Sequence, residues 1–117
     1  MARTASKPPS RYEQARAAYP EVVERFEAFG KAIEAAGPLS KREQRLVKLG
    51  LAFGARLEGA SHAAVRKALD VGCTPAELEH AALLAMTSLG FSVGVTSLCW
   101  VQDETESRGA SKKGGKK

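Results

Sequence analysis

An all-α fold of about six helices is what this 117-residue chain predicts, on three observations. Apolar residues recur three and four apart through several segments, which is the period of one helix face. Two capping boxes, Ser40-Lys41-Arg42-Glu43 and Thr74-Pro75-Ala76-Glu77, mark helix starts. Gly37-Pro38, Gly72 and Gly90 stand where the periodic segments stop, and no strand pattern interrupts them.

Taken in order, residues 1–10 are rich in Ser, Pro and Arg and are expected to be disordered. Residues 11–19 suit a short helix, and Pro20 suits the first position of the next one. Over Pro20–Ala36, Val22, Val23, Phe26, Phe29 and Ile33 keep helical spacing until Gly37-Pro38. The Ser40 cap opens a helix whose apolar stripe is Leu46, Leu49, Phe53 and Leu57, with Gly54 and Gly59 marking a bend or break. A fourth helix spans about Ala60–Val71, and Gly72 suits the left-handed residue that ends it. Thr74 caps a fifth, carrying Leu78, Ala81, Ala82, Leu84 and Ala85 and stopped by Gly90. A last helix runs over roughly Ser92–Glu104, apolar on more than one side. The domain boundaries expected are a helical domain at 11–106 and a disordered basic tail at 107–117.

The net charge of +5 comes from the ends. The tail holds Arg108, Lys112, Lys113, Lys116 and Lys117 without an acid, while residues 12–106 sum to −3. The helical part therefore presents no basic groove, and no specific nucleic-acid partner is expected; contact through the tail would be electrostatic and salt-sensitive. The longest apolar run, Ala81–Met86, is far too short to span a membrane. The N-terminus lacks the apolar core of a secretion signal, and two distant cysteines, Cys73 and Cys99, make no disulfide framework. A soluble, cytoplasmic protein with reduced thiols is expected.

One segment carries chemistry-bearing residues among small apolar ones: Glu58 and His62 in LEGASHAAVRKAL. At i, i+4 they share a helix face and suit a carboxylate–imidazole pair. Such a pair serves a general base, a partial metal site, or a structural hydrogen bond at an oligomer contact. His80, Cys73 and Cys99 read as surface or packing residues, and Arg42, Arg45 and Lys48 as a solvated helix face.

The segments PLSKREQRLVKLGLAFG and ALDVGCTPAELEHAALLAMTSLGF together resemble the carboxymuconolactone decarboxylase family, which includes the alkylhydroperoxidase D-like proteins. The most specific elements are Leu39-Ser40-x-Arg42-Glu43 and Gly72-x-Thr74-Pro75-x-Glu77-Leu78, one helix apart. The resemblance covers about residues 20–102 and implies an all-α, alkylhydroperoxidase D-like subunit that assembles into trimers or hexamers. The peroxidase branch of the family uses a glutamate and a C-x-x-C-x-x-x-H relay. Registered on Gly72 without gaps, those positions hold Arg45, Leu57, Ala60 and Ala64, and no cysteine precedes Gly72 at all. The decarboxylase branch needs no cofactor, but its central histidine also falls on Ala64; His62 lies about 200° away around the helix.

What the resemblance implies is a family member with a divergent active site and without the redox thiols. The expected function is that of a cofactor-free lyase or hydrolase-like enzyme on a small carbonyl or lactone compound, with Glu58 and His62 as catalytic residues and neither metal nor cofactor. The alternative is a non-catalytic homo-oligomeric binding or scaffold protein that retained the fold. The partners expected are the chain itself and a small-molecule ligand.

Overall fold

A computed structural model describes residues 10–116, with side chains as far as Gly109. Its described residues form six helices and no strand, which is the all-α class the spacing predicts. They fall into two compact units, Met1–Pro38 and Leu39–Lys117.

In the first unit, α1 (Arg11–Ala18) and α2 (Pro20–Ala35) meet at Tyr19. Ser10 accepts from the Glu13 amide at 3.0 Å while Glu13 accepts from the Ser10 amide at 2.9 Å, a capping box the sequence reading does not name. Of the expectation for residues 1–10, all but Ser10 lies outside the described residues. Arg16 pairs with Glu27 and ties the two helices together. Val23 is buried, while Val22, Phe26, Phe29 and Ile33 form an exposed apolar stripe.

The second unit holds α3 (Lys41–Gly54), α4 (Glu58–Asp70), α5 (Pro75–Leu89) and α6 (Phe91–Lys116). Both capping boxes read from sequence are formed, at Ser40/Glu43 and Thr74/Glu77. Leu49 and Phe53 of α3, Val65 and Ala68 of α4, Leu78 and Ala82 of α5 and Val101 of α6 make one core, with Cys73 at its edge. Ser61 and Ser97 are buried as well, their hydroxyls without a hydrogen-bond partner among the described residues.

Three boundaries decide where functional side chains fall. The break between α3 and α4 lies at Ala55–Leu57, where Arg56 takes a positive φ of 61°. Glu58 is therefore the first residue of α4 and stays on the helix with His62. Gly90 joins α5 to α6 at φ 113°, ψ 154°, a conformation open to glycine almost alone, so the two helices fold back on each other at once. The 107–117 segment, read as an unstructured tail, instead continues α6 to Lys116. Extending an existing helix adds a hydrogen bond per residue with no nucleation cost, and Arg108 anchors the extension to α4.

Candidate functional site

The pair singled out by sequence sits on α4, and its geometry is set by α6. His62 Nε2 lies 3.6 Å from Glu58 Oε2, beyond hydrogen-bond reach, and the Glu58 side chain is 69% exposed. The other ring nitrogen is held firmly: His62 Nδ1 is 2.7 Å from Glu104 Oε2. The same oxygen accepts from Arg66 Nη1 at 3.0 Å. Both His62 and Glu104 are about four-fifths buried, at 19% and 18% exposure.

Two four-residue ladders produce this. Residues 62, 66 and 70 follow one face of α4, and residues 100, 104 and 108 follow one face of α6. The Trp100 ring lies 6.2 Å from the imidazole, centroid to centroid, tilted by 47°. One turn on, Glu104 takes His62 and Arg66 together. At the next turn Arg108 Nη1 pairs with Asp70 at 3.1 Å, and its Nη2 donates to the Arg66 carbonyl at 3.3 Å. The contacts pair low numbers with low and high with high, so α4 and α6 run in the same direction.

An imidazole whose Nδ1–H donates to a carboxylate presents Nε2 as its acceptor. Glu104, fixed by Arg66, thus selects the tautomer and orientation, and Nε2 lies on the side of the exposed Glu58 carboxylate. This arrangement is suited to taking up a proton at Nε2 and stabilising the resulting imidazolium. Glu58 contributes negative charge nearby rather than a fixed hydrogen bond. Among the described residues, no three His, Cys, Asp or Glu side chains gather as a metal-binding group.

In the second unit, a concavity at the α4–α5 turn and a groove between α3 and α5 are both lined without Glu58 or His62. One, about 350 Å³, lies where the α4–α5 turn meets α6, with Cys73 and Arg108 among its lining residues. The other, about 820 Å³, is an open groove between α3 and α5, mostly apolar, with Glu77, His80 and Ser88 as its polar members. His80 is exposed there, as a surface histidine.

At the start of α5, Glu77 accepts from the Thr74 amide at 2.9 Å and from Arg42 of α3. Arg42 is therefore a cross-helix partner rather than only part of a solvated face. The Arg42 guanidinium holds the Glu77 carboxyl below its ordinary range and is itself raised in return. The Cys73 thiol is pushed up, chiefly by burial, with Arg42 opposing the shift; a thiol so held stays protonated and is a poor nucleophile. Cys99 is free and exposed.

The Arg42–Glu77 pair yields a pH prediction. A carboxyl lowered in the folded state contributes stability that is present above its unfolded value and lost as pH falls through the folded one. Melting temperatures taken from neutral pH down through the carboxylate range should fall less steeply for Glu77→Gln than for the parent chain. Glutamine still closes the capping box, so the difference reports the charge. Parallel acid limbs would show that the ion pair adds nothing to folding.

A model of the carboxymuconolactone decarboxylase family matches residues 20–103, from the first residue of α2 to the residue before Glu104. The chain belongs to that family. Searches of curated proteins and of solved structures gave no match. The C-x-x-C-x-x-x-H pattern of the peroxidase branch has no counterpart here, since the chain's cysteines, Cys73 and Cys99, both lie after α4. Glu104 and Arg66, which place the imidazole, escaped sequence reasoning. Glu104 stands 42 residues from His62 and 38 from Arg66 along the chain, so no local spacing pointed to the cluster. The available signal was the match between 62/66/70 and 100/104/108, legible only once α4 and α6 are set side by side.

Proposed function

We propose that this member of the carboxymuconolactone decarboxylase family is a cofactor-free, lyase or hydrolase-like enzyme acting on a small carbonyl or lactone compound by proton transfer at His62. The observation that carries the reading is the 2.7 Å contact between Glu104 and Nδ1, which leaves Nε2 as the basic nitrogen. In this reading His62 takes a proton from a carbon beside a carbonyl, or from the attacking water, and returns it to the product. Glu104 steadies the imidazolium between those events, Arg66 holds Glu104 in place through its hydrogen bond, and Glu58 adds negative charge beside the ring. The chain works as a homo-oligomer, trimeric or hexameric as in the family, in the cytoplasm, where its two free thiols stay reduced. No helix among the described residues is long and apolar enough to cross a membrane.

A second reading, a non-catalytic oligomeric binding or scaffold protein, is favoured by the exposed apolar groove between α3 and α5, which lies away from His62. One experiment separates them. Purified protein is assayed against a panel of small lactones and keto acids, beside His62→Ala and a Cys73→Ser/Cys99→Ser double variant. Turnover present in the parent and the double variant but lost in His62→Ala supports the enzyme. Turnover that survives His62→Ala, or a parent inert across the panel, removes it in favour of the scaffold. Peroxide consumption that vanishes in the double variant would instead restore thiol chemistry.

A further inference from the structure

The self-association proposed above leaves open which surfaces meet, and two exposed apolar features fit one another. The first is the stripe on α2. Val22, Phe26, Phe29 and Ile33 are 64%, 68%, 61% and 52% exposed. Their 3-4 spacing keeps them on one face for about 16 Å of helix. The second is the groove of the other unit, walled by Val47 and Leu51 of α3 and by Leu84 and Leu89 of α5, themselves 51%, 67%, 57% and 47% exposed.

The floor of that groove is built for a helix. Gly50, Gly54, Ala81 and Ala85 line it, and a Cβ placed on Gly50 meets nothing within 4 Å. Small floor residues let a helix backbone come close while its large side chains fill the space between the walls. Along α5 the lining runs from Glu77 to Leu89, about 18 Å, against the 16 Å of the stripe. Charge agrees with shape. The α2 helix carries Glu21, Glu24, Glu27 and Glu34 against Arg25 and Lys31, a net −2. Of the groove's two walls, α3 carries Lys41, Arg42, Arg45 and Lys48 against Glu43, a net +3, and α5 carries Glu77 and Glu79, a net −2, which leaves the groove at +1. Charge of opposite sign on α2 and on the groove favours this pairing over two α3 walls meeting each other. The family match begins at Pro20, the first residue of α2, so the helix that bears the stripe belongs with the groove in the family unit.

We infer that the α3/α5 groove is the docking site for the α2 stripe of a second copy of this chain. Each copy offers one stripe and one groove, so either a head-to-tail ring or a two-fold pair that exchanges stripes satisfies both.

The test uses the full chain and light scattering coupled to gel filtration. Phe26→Asp spoils the stripe, and Gly50→Leu fills the groove floor in space that is empty within one copy. Replacing a helical glycine also favours the helix, so the fold should hold. The parent should run above monomer mass, and both variants should fall to monomer with unchanged helical circular dichroism. Mixed together, they should form a dimer, because the intact stripe of one meets the intact groove of the other. If Gly50→Leu loses helicity, Val47→Asp at the groove wall replaces it. A parent that is monomeric overturns self-association itself. An oligomeric parent whose mass survives either variant, or variants that fail to pair on mixing, overturns this docking and leaves self-association standing.

Discussion

Gly94→Ala is expected to lower the unfolding free energy by about 3 kcal/mol, the upper part of the usual range for overpacking a core. A Cβ on Gly94 would stand 1.9 Å from Met86 Cγ and 2.9 Å from Met86 Cα. The side-chain clash is relieved by another Met86 rotamer, but the clash with the backbone is not, so α5 and α6 must move apart. They have little freedom to do so. Gly90 joins them without a spacer, and their inner faces supply Leu78, Ala82 and Val101 to the single core. Separation there opens voids around side chains that are now fully buried. Denaturant unfolding of Gly94→Ala, Met86→Ala and the double variant measures the effect. The cycle should show positive coupling, with Met86→Ala relieving only part of the Gly94→Ala loss, because the α5 backbone at residue 86 still stands in the way. Equal stability of Gly94→Ala and the parent would mean that α5 and α6 are not held this closely in solution.

The same local rules explain what could be read in advance. Ser40/Glu43 and Thr74/Glu77 were legible because a capping box is complete within four residues. Gly72 and Gly90 were legible because the chain reverses there with positive φ. The α3–α4 break was placed only approximately. Gly54 and Gly59 drew attention as weak helix formers, yet the turn falls at Arg56, a residue with no intrinsic preference for φ 61°. Leu57 then opens α4 with no side-chain cap, so nothing in the sequence announces that start. The length of α6 was also hidden. Its Gly, Ser and Lys composition argues against a helix, while Arg108 is anchored to residues about 40 positions earlier. Of the site, the sequence disclosed the i, i+4 pair and missed its governing partner. A carboxylate on another helix is a fact of packing, and packing enters a sequence only through which faces are apolar.

Glu104 should therefore matter more than Glu58, the reverse of what proximity along the chain suggests. The Glu58 side chain is exposed and 3.6 Å from the imidazole, so Glu58→Ala should change stability by no more than about 0.5 kcal/mol, as for exposed ion pairs. Glu104 is mostly buried and accepts from both His62 and Arg66. Its removal in Glu104→Ala leaves two donors facing a gap, which should cost about 2 kcal/mol, within the range for orphaned buried polar groups. Glu104→Gln keeps an acceptor for Nδ1 but removes the charge that stabilises an imidazolium. It should recover most of that stability while turnover at His62, where the panel assay gives one, falls as far as in Glu104→Ala. Thermal melts and initial rates on the three variants test both halves. If Glu58→Ala proved the more damaging in either measurement, the site would be organised along α4 alone, and Glu104 would be only a strut between α4 and α6.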